Sequence, residues 1–140
     1  MYKEHRRRFL ELLRAERAAA VIPTATHKVR NHDAEYRFRP ESDFWYLTGF
    51  AEPEAVAVLR PDRADAAFVL FVRPRDSAQE AWTGRRNGVE GACRDFGATV
   101  AHPIGELAAR LPGYLENAAR LLYAVGRDEP CDRIVHAALA

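Results

Sequence analysis

Tyr2, Arg6, Phe9 and Leu13 recur at helical spacing, with Leu10 and Leu12 set among Arg and Glu, and predict an amphipathic helix from Lys3 to about Ala19. Ala18 to Ile22 is apolar and ends at Pro23, which cannot donate to a ladder, so it reads as a short first strand. Thr24 to His32 is a polar loop. Ala55 to Leu59 and Ala66 to Val72 are apolar runs without alternation, the habit of strands buried on both faces. The turn residues Arg60 to Asp65 between them are few enough to make an antiparallel hairpin. Ser77 to Trp82 predicts a helical turn stopped by Gly84, Gly88 to Phe96 a short helix ending at Gly97, and Thr99 to Ala101 a brief strand. Ile104, Leu107, Ala108 and Leu111 form a second amphipathic stripe, expected to break where Pro112 removes a backbone donor, with Tyr114 to Ala118 resuming as a further turn. Leu121 to Val125 reads as another buried strand closed by Gly126. Asp128 then caps a helix through Ile134, Val135 and Leu139 that reaches Ala140 without a Gly or Pro terminator, and this suggests that the natural chain continues.

Helices alternating with about five or six strands, two of them joined by a hairpin, imply an α/β fold: one domain over residues 1–140, a mixed β-sheet with helices on both faces. No internal repeat, low-complexity tract or interdomain linker interrupts it.

The aromatic residues are unevenly placed. Tyr36, Phe38, Phe44, Trp45, Tyr46 and Phe50 all fall between Asp33 and Glu54. Pro40 biases Arg39 toward extended geometry, Ser42 can cap the next turn, and Gly49 can take the left-handed conformation that ends a helix. Helical spacing sets Phe44 beside Leu47 and Trp45 beside Gly49. Phe44, Trp45 and Tyr46 are assigned to the core, which makes this stretch a packing hub.

Hydrophobic residues at 48% and charged residues at 29% are those of a globular domain, and the formal net charge of +1 offers no electrostatic case for nucleic acid or an acidic membrane. All but Lys3 and Lys28 of the 21 basic residues are Arg, and the run His5 to Arg8 reads as the solvated face of the first helix. No apolar run approaches a membrane span, and the charged start is not a signal peptide, so the cytoplasm is the expected compartment. Cys93 and Cys131 are far apart and without a Cys-x-x-Cys pattern, and are expected as reduced thiols.

Reactive constellations are missing. His5, His27, His32, His102 and His136 are scattered, His-Glu-x-x-His does not occur, and the close pair His32 with Asp33 has only adjacency in a loop to bring it together. No Gly-x-Ser-x-Gly or glycine-rich phosphate loop is present, and Ser42 and Ser77 stand where helix caps belong. No catalytic residue and no metal ligand is assigned.

Asp33-x-Glu35-Tyr36-x-Phe38-Arg39, Ser42-Asp43-Phe44-Trp45-Tyr46-Leu47-Thr48-Gly49-Phe50 and Glu52-Pro53-Glu54, followed in order by Glu80-Ala81-Trp82-Thr83-Gly84-Arg85-Arg86, resemble the N-terminal domain of Xaa-Pro aminopeptidase, aminopeptidase P of the creatinase and prolidase group. The likeness is dense from about Asp33 to Arg86. It implies a non-catalytic domain preceding a C-terminal catalytic domain absent from this chain, in which two divalent cations, with manganese expected, serve release of the residue before proline. No cofactor is expected on this chain itself. The implied partners are that catalytic domain, neighbouring subunits of a homo-oligomer and proline-containing peptides. The resemblance assigns Trp82 to a wall of a neighbouring subunit's substrate cleft, places Asp33 near the cleft, and leaves Arg85 and Arg86 for subunit contact. Thr83 departs from the aromatic residue common at its position. A protein-interaction module of the same fold and a prolidase domain are the competing expectations.

Overall fold

A computed structural model of the chain describes residues 1–24 and 42–140. In chain order the elements are α1 (Tyr2–Glu16), β1 (Ala18–Pro23), α2 (Ser42–Thr48), β2 (Val56–Leu59), a 3-10 turn (Ala64–Ala66), β3 (Phe68–Val72), α3 (Ser77–Thr83), α4 (Gly88–Phe96), β4 (Val100–Pro103), a second 3-10 turn (Ile104–Glu106), α5 (Leu107–Leu115), β5 (Arg120–Leu122) and α6 (Glu129–Leu139).

The strands form one five-stranded sheet in the order β4-β3-β2-β1-β5. Strand β2 lies at the centre and pairs antiparallel with both neighbours, Val58 opposite Val21 on one side and Val69 on the other. The outer strands pair parallel, β4 with β3 and β5 with β1. This is the mixed sheet expected, including the β2–β3 hairpin. Alternate residues go to opposite faces. Ala18, Ala20, Ala57, Leu59, Phe68, Leu70 and Val72 share a core with Leu13 of α1, Phe44 of α2 and Ala92 of α4. On the other face Ala19, Val21, Val56, Val58, Val69 and Phe71 pack with Leu107, Leu111 and Leu115 of α5 and Cys131 and Val135 of α6. Helices therefore cover both faces.

Several boundaries differ from expectation. Helix α1 ends at Glu16 because Arg17 adopts the left-handed conformation (φ 55°), turning the chain so that Ala18 and Ala19 enter the sheet. Pro112 does not break its helix but lies inside α5. A mid-helix proline costs about 3 kcal/mol, and burial of Leu107, Leu111 and Leu115 along one stripe offsets it. The end of α5 is also capped from outside: buried Arg60 donates to the carbonyls of Tyr114 (2.9 Å) and Glu116 (2.7 Å) while pairing with Asp62 (2.7 Å). Strand β5, expected to be buried over Leu121 to Val125, is three residues long, and both Arg120 and Leu122 are exposed. Among the described residues it stands at the edge of the sheet, paired with β1 alone, and its apolar composition is satisfied on the α5/α6 side, where Leu121 and Tyr123 pack.

Helix α2 is fixed against α1. Buried Arg6 donates to Leu47 O (2.9 Å) and lies over the Phe68 ring (4.4 Å). Thr48 Oγ1 donates to Phe44 O (2.8 Å) and accepts from Phe50 N (3.0 Å), and Gly49 closes the helix at φ 66°. A Cβ at Gly49 would stand 2.6 Å from the Tyr2 ring. Gly49→Ala therefore combines left-handed strain with a clash, and should lower unfolding free energy by about 2–4 kcal/mol. Urea denaturation midpoints measure this, and Tyr2→Ala should recover part of the loss in the double variant.

Candidate functional site

Helix α3 carries Trp82 and is built on the surface. Asp76 caps it, its carboxylate accepting from Ala78 N (3.1 Å) and Gln79 N (3.2 Å). Ser77, expected as the cap, is the first helical residue, one position too late for its hydroxyl to take that role. Gly84 N donates to Glu80 O (3.0 Å) and ends the helix with φ 98°. None of the seven residues of α3 is buried, and Trp82 is 91% exposed. The alternative of an indole packed in its own core does not hold.

What anchors α3 is charge. The Glu80 side chain is 9% exposed. Its Oε2 accepts from Asp76 N (2.9 Å), its Oε1 accepts from Arg86 N (2.8 Å), and Arg75 Nε lies 2.9 Å away. One carboxylate thus ties the start of α3 to the loop beyond Trp82. These bonds, that from the Arg86 amide foremost, with the Arg75 charge, hold the Glu80 carboxyl down to about 2. Glu52, from the end of the aromatic hub, extends the tie inward. It accepts from Asn87 N (2.8 Å) and from the Asn87 side-chain amide, and pairs with Arg73 (3.4 Å). Arg86 donates to Pro74 O (3.2 Å), whereas Arg85 is exposed. Among the described residues, the buried Nε atoms of Arg73 and Arg86 make no hydrogen bond.

The sequence reading did not single out Glu80, Glu52 or Asn87. Both glutamates sat inside quoted motifs, but only the fold shows that they turn inward. Asp33, together with His32, lies outside the described residues. Of the three consecutive rings assigned to the core, Phe44 is fully buried, but Trp45 is 40% and Tyr46 51% exposed. Consecutive helical positions are about 100° apart, and one face of α2 meets the sheet. The other two rings lie beside α1, Trp45 edge-on to Tyr2 at 5.5 Å and Tyr46 stacked on His5 at 3.8 Å.

Among the described residues no group of three or more His, Cys, Asp or Glu side chains converges as a metal site requires, and no helix is long and apolar enough to cross a membrane. Cys93 and Cys131 are free thiols, and burial pushes Cys131 up to about 11, away from nucleophilic character.

The depressed Glu80 carboxyl gives a pH dependence whose sign follows from linkage. A carboxyl lowered from 4.5 to about 2 on folding contributes stability that is complete above 4.5 and is lost as pH falls through about 2. Lowering the pH across that window should loosen the segment from Asp76 to Asn87. Hydrogen exchange of the Asp76 and Arg86 amides, read against Glu80→Gln, checks this; pH-independent protection in the wild type would refute it.

Residues 2–123 match the family described as aminopeptidase P, N-terminal domain. The Xaa-Pro aminopeptidases of Haemophilus influenzae and Escherichia coli are each 41% identical, over 76% and 87% of this chain but 25% and 28% of their own lengths. Among solved structures, Pseudomonas aeruginosa aminopeptidase PepP superposes with a TM-score of 0.87 at 42% identity, covering 99% of this chain and 32% of that one. Zinc-substituted E. coli aminopeptidase P in complex with product gives 0.87 at 37% identity, covering 99% of this chain and 31% of that one. The chain thus spans about a quarter to a third of the length of these relatives and corresponds to their N-terminal part. With a helix-covered mixed sheet shared across its length and both signatures in place, the chain belongs to the aminopeptidase P N-terminal domain family.

Proposed function

We propose that this domain is the non-catalytic N-terminal part of an Xaa-Pro aminopeptidase, shaping a substrate cleft whose reactive groups lie in a C-terminal catalytic domain. The observation that carries this is Trp82: a large ring, 91% exposed, on a helix with no apolar anchorage of its own but a firm ionic one. Leaving an indole in water on an ordered support favours a role in covering something else, since the ring offers a flat apolar wall and one N–H donor. A proline-containing peptide in a neighbouring subunit's cleft suits that wall. By the same resemblance Asp33 is assigned to the neighbourhood of the cleft, Arg85 to a subunit contact, and the two divalent cations, expected as manganese, to the catalytic domain.

Two measurements test it. The 140-residue chain supplied with Mn2+ should show no hydrolysis of an Xaa-Pro peptide, and measurable turnover by the purified chain would overturn the assignment. In the enzyme comprising this domain and its catalytic partner, Trp82→Ala should lower kcat/KM on Xaa-Pro peptides by roughly tenfold, about 1.4 kcal/mol of transition-state stabilisation, with metal content unchanged. An unaltered kcat/KM would remove Trp82 from the site.

A further inference from the structure

Two residues apart on a helix, side chains point to nearly opposite sides. Glu80 and Trp82 stand in that relation: Glu80 faces inward with its side chain 9% exposed, and Trp82 faces outward at 91%. Because no residue of α3 is buried, the direction in which Trp82 projects is not set by a hydrophobic seam, as in α1 or α5. It is set by the carboxylate on the far side of the same turn.

We propose that Glu80 is a positioning residue for Trp82, orienting the indole by locking α3 to the loop that follows it, with Glu52 as the second lock that joins this unit to the sheet. This rests on the reading of Trp82 as a cleft wall, but its structural half can be measured separately. The two Glu80 oxygens accept from two backbone amides on opposite sides of the tryptophan, those of Asp76 and Arg86, so Glu80 staples both ends of the segment that carries the ring. Arg75 supplies the balancing charge at 2.9 Å. From Arg86 the chain passes directly to Asn87, whose amide and side chain both donate to Glu52, and Glu52 is paired with Arg73 at the end of β3.

The chemistry demands a carboxylate. A Gln at position 80 keeps the shape but has one acceptor oxygen, and its NH2 group would face a backbone N–H, donor against donor. It would also remove the charge that faces Arg75 at 2.9 Å. An Asp is a methylene short of spanning the two amides.

The test uses Trp82 as its own reporter. In a Trp45→Phe version of the chain Trp82 is the sole tryptophan, and its time-resolved fluorescence anisotropy reads the local mobility of the ring. Glu80→Gln should increase the fast depolarising component roughly twofold, with far-UV circular dichroism retained, as expected for loss of a local tether without global unfolding. The surface-pair control Glu129→Gln should leave it unchanged. Should Glu80→Gln fail to fold, Arg75→Met, which removes the charge partner and spares both amide bonds, should give a smaller increase of the same sign. Unchanged anisotropy in the folded Glu80→Gln chain, or in Arg75→Met where Glu80→Gln does not fold, would overturn the proposal. In the enzyme containing the catalytic domain, Glu80→Gln should lower kcat/KM about tenfold and be silent once Trp82 is already Ala. An equal loss in both backgrounds would show that Glu80 acts on overall structure and not through Trp82. A silent Trp82→Ala with altered anisotropy in Glu80→Gln would separate failure of the cleft reading from failure of the positioning claim.

Discussion

On one face of the sheet, β1 and β2 present Ala18, Ala20 and Ala57, and the volume that these methyl groups leave is taken by rings from the segment after α2's start. Phe44 and Phe50 lie edge to face at 6.4 Å, both without exposure, and Phe50 continues to Phe96 of α4 at 4.9 Å. Small residues on the strands and large ones on the covering layer interlock at the density that protein interiors require. The rest follows from this contact. It holds α2 and α4 on the sheet, places Tyr2 and Arg6 of α1 against the end of α2, and delivers Glu52 to the rim beside Asn87. The aromatic hub is therefore structural, and it is linked to the surface segment after α3 through Glu52 and Asn87.

The Trp82 segment works by different physics. Elsewhere in the described chain the longer helices are held by apolar stripes, which are tolerant of small shifts because they are non-directional. Helix α3 is held through its own Glu80, which binds the amides of Asp76 and Arg86, and the loop beyond it is held by Glu52 through Asn87. The bonds from the Asp76, Arg86 and Asn87 amides to these carboxylates, at 2.8–2.9 Å, are charge-assisted and geometrically specific. Such an attachment suits a side chain that must be exposed and yet aimed. An apolar seam on so short a helix would have competed with Trp82 itself for burial.

Family membership and this geometry have different reach. The shared fold and signatures bind the chain to Xaa-Pro aminopeptidases, of which it corresponds to the first quarter to third. The reading of Trp82 as a wall of another subunit's cleft draws on exposure and anchorage together.

The order of elements, the β2–β3 hairpin and the two-sided burial of the central strands were legible from the chain, because uninterrupted apolar runs bounded by Pro and by Asp- and Arg-rich turns have one economical arrangement. So was the family, carried by two ordered motifs. Three matters were settled only in three dimensions. Leu121 to Val125 looks as apolar as β2, but burial depends on having neighbours on both sides, and strand order is a property of the whole sheet. Pro112 reads as a break, yet Leu111 and Leu115 hold the helix through it. Phe44, Trp45 and Tyr46 are three consecutive rings in sequence, and the orientation of α2 on the sheet selects which one is enclosed. Likewise Glu80 and Glu52 are ordinary acidic residues in a list of letters. Glu80 finds its partners within six residues, through the local turn of α3 and the loop after it, whereas Glu52 becomes an anchor only because the fold brings Arg73 and Asn87, 21 and 35 residues away, within reach; which way either carboxylate turns is not written in the local pattern.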